Sequence, residues 1–437
     1  MYIIARMTFF RSTKSKGIYP VFSVLVLIMF LTILNMFRLS TFARVELASD
    51  LIALDLPVLI VNVDDNKPIK SRTDYEKADF VLYKNYANKE VLFEGRAKIR
   101  GRGNSTWKTI DTSKRSYLFK TDSAIEPFDF PQARKWILMS NVTDKTSLRN
   151  VYAYHIADEI FQDAGWAPHT QFITLVINQK VEGLYGFMEK AEIAQGRVDL
   201  PLDDSSFLAE VNSRLNREWN FKSDEGISLS IRERAGADSE YYRGAEDFLT
   251  RFEKILYSDE FADSESGWRS LADEKSFIDW YLINEYTKNH DAWFQDSCFM
   301  RYDTRARKLF MGPAWDFDLS CGNYRKRDCD KPEGLHVQLK GWFSRLWEDD
   351  AFKKAVASRW EETLPKVKES IDWLAAQADF LKDAANTDDT IWRRFGKRQW
   401  PHAPGWRDRK TYQAEVDYLT SWLQTRIDWL TQEFSTY

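Results

Sequence analysis

The 437-residue chain carries 62 Lys+Arg against 66 Asp+Glu, a formal net charge of -4, with 44% hydrophobic and 15% aromatic residues. Disordered, collagen-like and coiled-coil classes are excluded by that make-up, and the length permits two or three domains or one large two-lobed domain. The near-neutral balance gives no electrostatic footprint for nucleic acid, so no nucleic-acid partner is expected.

From the N-terminus, Arg6, Arg11, Lys14 and Lys16 precede Ile18–Phe37, twenty residues without a charge. Twenty residues is the length a helix needs to cross about 30 Å of hydrocarbon. Residues 1–17 are therefore expected to be a basic cytoplasmic segment and 18–37 a transmembrane helix. Residues 38–54 read as a tether, and the positive-inside rule sends the remainder across the membrane. A cleaved signal peptide is the alternative, with small residues near Ser40–Ala43, although the apolar run exceeds an ordinary signal core.

Alternating or apolar runs predict strands at Val58–Val63, Phe80–Tyr83, Leu92–Ile99, Tyr117–Lys120, Trp136–Met139, Phe172–Ile177, Leu184–Glu189 and Phe207–Val211. From Ser239 the spacing turns helical: Phe277, Trp280, Tyr281 and Asn284 in one segment, then a stripe from Tyr412 to Phe434. Phe299–Tyr302 and Lys308–Met311 read as a hairpin inserted in this helical part. The expected fold class is α+β, with a β-rich lobe over 55–235 and a helical lobe over 236–437. The seventeen tryptophans raise a carbohydrate partner, but their Leu and Ile neighbours in helical stripes place most of them in the core.

No pair among the five histidines lies at i, i+3 or i, i+4, and Cys298, Cys321 and Cys329 form no CxxC pair, so a local zinc motif is absent. In an oxidising compartment Cys321 would be able to pair with Cys329 or with Cys298. Carboxylates carry the chemical signal instead. In Trp315-Asp316-Phe317-Asp318 two acids stand at i and i+2 where a strand ends in a turn, a hard-oxygen position suited to Mg2+. Asp291 closes a helix 25 positions before Asp316 with the hairpin between. That order matches phosphoryl transfer, where a loop Asp takes the hydroxyl proton and a later Asp holds the cation. In Arg100-Gly101-Arg102-Gly103-Asn104-Ser105-Thr106 two glycines allow a tight backbone able to cradle phosphate, or simply a hairpin turn. Arg100, Arg102, Lys114, Lys120, Arg149 and Lys190 are the basic candidates to face a triphosphate.

These segments together resemble the CotH kinase family of atypical protein kinases. The carrying motifs are Ile99–Trp107, Lys114–Tyr117, Lys135–Asn141 running to Ser147–Asn150, Gly183–Gly186 to Glu189-Lys190, Asn289–Asp291 and Trp315–Asp318. The resemblance implies a divergent two-lobed kinase-like fold using ATP with Mg2+ or Mn2+ to phosphorylate Ser or Thr of an envelope protein. In that reading Asp291 is catalytic, and Asp316 and Asp318 are metal ligands. Arg100, Arg102, Gly103, Asn104, Lys120, Arg149 and Lys190 hold the nucleotide. Combined with the uncharged run at Ile18–Phe37, this reading gives a protein anchored in the membrane by its N-terminal helix with its main domain exported. Ordinary kinase signatures are missing: there is no His-Arg-Asp triplet, no third glycine, and Asp-Phe-Asp stands where Asp-Phe-Gly would. Gln295, Asp296, Ser297 and Cys298 occupy the neighbourhood of the usual second metal ligand, and Asp296 would serve there at the cost of more negative charge beside Asp291. Two other classes fit parts of the pattern. One is a non-catalytic nucleotide- or carbohydrate-binding envelope scaffold. The other is a glycoside hydrolase using an Asp pair, which leaves the Gly-Arg segment unexplained.

Overall fold

The computed structural model describes residues 49–52, 54–104, 107, 114–215, 219–232, 234, 236–401 and 403–437. The expected membrane segment Ile18–Phe37 lies outside the described residues, as do Ser105 and Thr106; among the described residues no helix is long and apolar enough to cross a membrane. Leu51–Tyr437 forms one compact unit, and its architecture is mixed α+β, β-rich in the first half and mainly helical in the second.

Seven strands close a barrel: β1 (Val58–Val63), β2 (Glu76–Asn85), β3 (Glu90–Arg102), β4 (Ser116–Ile125), β5 (Ala133–Met139), β6 (Thr170–Ile177) and β7 (Lys180–Glu189). The order around it is β1-β2-β3-β4-β5-β7-β6, antiparallel except for the parallel β1–β6 pair that seals it. Closure removes both sheet edges. Strand alternation sorts the side chains: Leu59, Val61, Phe80, Ile99, Phe119, Trp136, Leu138 and Phe187 fill the interior. Leu118, Ile137, Leu184 and Met188, one position out of phase, pack outward against the helices.

The second sheet joins the two halves of the chain. The strands β11 (Asp296–Asp303) and β12 (Lys308–Met311) do form the anticipated hairpin. However, β11 pairs with β8 (Phe207–Asn212), giving a five-stranded sheet β12-β11-β8-β10-β9 with β9 (Trp219–Lys222) and β10 (Ser228–Ile231). The hairpin is thus shared structure between the two halves rather than an insertion in one of them.

Helix α1 (Arg149–Glu159) stands between β5 and β6; α2 (Ser239–Leu256), α3 (Glu274–Thr287), α4 (Trp342–Leu346), α5 (Asp350–Trp392) and α6 (Tyr412–Phe434) follow. Twelve consecutive residues of α3, Ser276–Thr287, are buried on every side, which makes it the axle of the helical half. Its buried Glu285 carboxylate lies 2.6 Å from the Arg426 guanidinium of α6. The Tyr152 hydroxyl of α1 lies 2.7 Å from both Tyr286 of α3 and Ser370 of α5. Trp136, Trp268, Trp280, Trp342 and Trp360 are fully buried, so much of the tryptophan excess is core.

A buried ion cluster docks the end of α5 on the barrel. The Lys114 ammonium lies 2.8 Å from each Asp388 oxygen and donates to the Leu184 carbonyl. Asp388 also accepts from the Leu184 amide at 2.9 Å and from Arg394 at 3.1 Å. A Cβ at Gly183 would stand 2.2 Å from an Asp388 oxygen, which explains the glycine in Gly183-Leu184-Tyr185-Gly186. Removing one partner of such a buried pair costs about 3–5 kcal/mol. Asp388→Ala is therefore expected to lose stability on that scale in denaturant unfolding, and a loss below about 1 kcal/mol would show that the cluster does not anchor α5.

Candidate active site

Helix α3 ends at Lys288 in the left-handed conformation (φ 47), which turns the chain into the Asn289–Ala292 loop. The Asn289 side chain accepts from the Asp291 amide at 3.3 Å, and the Cys298 thiol donates to the Asp291 carbonyl at 3.4 Å. All three cysteines are free and buried. On the far side of the hairpin, Asp316 also takes a left-handed backbone (φ 63), a strain on the order of 1 kcal/mol for a non-glycine residue. The turn is braced from α1 and its leading loop. Phe317 N–H donates to Asn150 Oδ1 at 2.7 Å and Asp316 N–H to the Tyr154 hydroxyl at 3.3 Å. Arg149 donates to the carbonyls of Ser320 and Cys321 at 3.2 Å. The Thr143 hydroxyl donates to Asp318 Oδ2 at 2.6 Å, and Asn323 caps the Asp318 carbonyl.

The two acid loops meet. Burial, followed by the charges of Asp316, Asp318 and Asp296, pushes the Asp291 carboxyl far above its ordinary range, with Arg214 opposing. Burial and Asp316 push Asp318 up to about 7, opposed by the Thr143 hydrogen bond and by Arg102. Asp296, the first residue of β11, is likewise raised by burial and then by Asp316, although it accepts from Ser213 at 3.0 Å and faces Arg214 at 3.2 Å. Ser297 donates to Asp316 Oδ2 at 3.3 Å.

Among the described residues no group of three or more His, Cys, Asp or Glu side chains is arranged to hold a metal ion. The acids instead flank one region, as Mg2+ commonly requires when it takes one or two carboxylates and leaves its remaining positions to water and phosphate. Hard oxygen donors under mutual repulsion fit a divalent cation. Asp316 and Asp318 are the residues that would hold it.

The basic candidates divide. Arg102, the last residue of β3, lies over the Trp315 ring at 5.6 Å, and its charge reaches Asp318, so this arm of the Arg-Gly-Arg segment does meet the acid turn. Arg100 points elsewhere, to the Arg72 and Gly101 carbonyls and the Tyr75 ring. Arg72 also donates at 2.8 Å to the Gly103 carbonyl and to Asn104 Oδ1, so these groups are held from behind. Gly101 serves close packing rather than phosphate, since its Cβ would lie 2.3 Å from the Trp107 ring. Arg149 is buried and committed to Asp144 as well as to the carbonyls above, so it braces the acid turn and has no path to a nucleotide. Lys120 stands across from Lys98 and Lys135 on neighbouring strands. Lys190 pairs with Glu192 at 3.3 Å, and burial lowers its pKa to about 7. As the alternation of a strand requires, adjacent Glu189 turns away, to His169 and Arg197.

The sequence pattern did not single out Thr143, Tyr154, Ser213, Arg214 or Asn323, and Ser297 appeared only among the residues that follow Asp291. Asn150 appeared only inside a longer motif. Most of these have no local signature, because they act through partners distant in the chain; Asn323 is the exception, since it reaches the Asp318 carbonyl five residues back as well as the Thr143 carbonyl.

The family model described as CotH kinase protein matches residues 99–430, most of the chain. No curated protein matches the sequence.

The raised Asp318 pKa has a definite sign. A carboxyl that titrates near 3.8 when unfolded and near 7 when folded holds its proton more tightly in the folded state, so stability falls as pH rises across that interval. Asp318→Asn is expected to flatten this decline and to raise the melting temperature at pH 8. An unchanged slope between pH 4 and 7 in thermal scans would remove the like-charge cluster.

Proposed function

The chain belongs to the CotH kinase family, and from that premise we propose that it transfers the γ-phosphoryl group of ATP, with Mg2+ or Mn2+, to a Ser or Thr hydroxyl of an envelope protein. The observation that carries this reading is the convergence of the Asp291 loop and the Asp316 turn into one acidic region, reached by the Arg102 cation.

In this reading Asp291 accepts a hydrogen bond from the acceptor hydroxyl and takes its proton as that oxygen bonds to the γ-phosphorus and the bond to the β-phosphate oxygen breaks. Burial and neighbouring carboxylates raise the basicity of Asp291, which suits a proton acceptor. Bound at Asp316 and Asp318, the cation supplies charge neutralisation for the phosphate oxygens. Arg102 adds a second positive charge on the same side, with Lys120 and Lys190 as further nucleotide contacts. Asp296 stands where a neutral second ligand is usual, and Arg214 offsets part of its extra charge.

The uncharged Ile18–Phe37 segment supports an exported main domain, and with it an acceptor among envelope proteins. A reporter fused after Tyr437 is expected to be active only outside the cytoplasm, and cytoplasmic activity would overturn that orientation.

Incubating the purified chain with γ-labelled ATP and Mg2+ or Mn2+ tests the reaction. Wild type is expected to incorporate label, Asp291→Ala to lose about 10²-fold or more in rate, and Asp316→Asn to lose metal-dependent activity. Nucleotide binding without incorporation would favour the non-catalytic scaffold, whereas incorporation indifferent to both changes would move the reaction away from this site.

A further inference from the structure

Asp316 follows the hairpin in a left-handed conformation (φ 63), a backbone state that aspartate tolerates better than most residues and that its neighbours fix here. The constraint comes from α1. Asn150 and Tyr154, at i and i+4, share one helix face, and both are 4% exposed. The Tyr154 hydroxyl accepts the Asp316 amide hydrogen and donates its own hydrogen to Asn150 Oδ1, both at 3.3 Å. The same Asn150 oxygen accepts the Phe317 amide at 2.7 Å. Two consecutive backbone amides are thereby tied to one polar pair. The Tyr154 ring packs between Trp315 and Phe317, at centroid distances of 6.5 and 6.0 Å, so the residues before and after Asp316 are held as well.

The helix that presents this pair is itself immobilised. Tyr152, on another face, joins it to α3 and α5 through Tyr286 and Ser370, and the Arg149–Asp144 pair secures its first turn. The clamp therefore references the Asp316 backbone to the helical half, while its carboxylate accepts from Ser297 of the hairpin strand β11.

We propose that Asn150 and Tyr154 are positioning residues that hold Asp316 in its ligand geometry, so that cation affinity depends on two side chains that do not touch the cation. The inference rests on Asp316 being the cation ligand. Outer hydrogen bonds of this kind typically change metal affinity by about 10–100-fold when removed.

Tyr154→Phe is the clean variant, because it deletes the hydroxyl and keeps the ring between Trp315 and Phe317. Titration of the full chain with Mn2+ in the presence of a non-hydrolysable ATP analogue, followed by electron paramagnetic resonance, is expected to show affinity weakened about tenfold, with the unfolding midpoint close to wild type. Hydrogen exchange should accelerate at the Asp316 and Phe317 amides. Asn150→Ala is expected to act in the same direction and more strongly, and if it does not fold, Tyr154→Phe decides alone. Wild-type Mn2+ affinity in Tyr154→Phe would overturn the inference while leaving the proposed reaction intact. Mn2+ binding that Asp316→Asn does not weaken would instead remove the cation site, and the positioning role with it.

Discussion

The structure concentrates like charge: Asp291, Asp316, Asp318 and Asp296 are brought within one another's fields at a partly buried place, with Arg102 and Arg214 as the cations bearing on them. Such an arrangement does not assemble by its own attraction. It exists because the backbone on either side is fixed by groups that gain from their own contacts. The αL turn after α3 directs Asp291, while the amide clamp of Asn150 and Tyr154, the Arg149 donors and the Thr143 hydroxyl fix the Asp316–Asp318 turn. The folded chain holds this repulsion in place, and a divalent cation would relieve it.

Everything that steadies the acid turn is steadied in turn by the helical half. The buried Glu285–Arg426 pair joins α6 to α3, and the Lys114–Asp388 pair joins α5 to the barrel. These ion pairs make weak stability devices when compared with apolar substitutes, but an interrupted one is costly, so they specify which surfaces meet. The long α5 spans Asp350–Trp392 and therefore acts as a strut: its Ser370 receives α1 and its Asp388 receives the barrel.

Several residues illustrate why motifs and roles diverge. Arg149 lies in a family motif and carries a full charge, which suggests a phosphate contact, yet its neighbours are Asp144 and two carbonyls. Gly101 looks like half of a phosphate loop and is a small-residue requirement beneath Trp107. Lys114 is basic and close to the Gly-Arg segment in sequence, and its partner lies 274 residues away. In each case the residue type announces a constraint, and only its surroundings say which one.

The sequence by itself determined the class of fold, most strand positions, the hairpin, the terminal helix and the order of acids that implies phosphoryl transfer, because alternation, helical spacing and local motifs are written in neighbouring residues. It also marked Asp291, Asp316 and Asp318 as candidates by type and spacing. Barrel closure through the parallel β1–β6 pair, the pairing of β11 with β8, the commitment of Arg149 to buried carbonyls and the Asn150–Tyr154 clamp belong to the tertiary structure alone. They join residues tens to hundreds of positions apart, and no periodicity or short motif encodes a hydrogen bond whose partner arrives only when the two halves have packed.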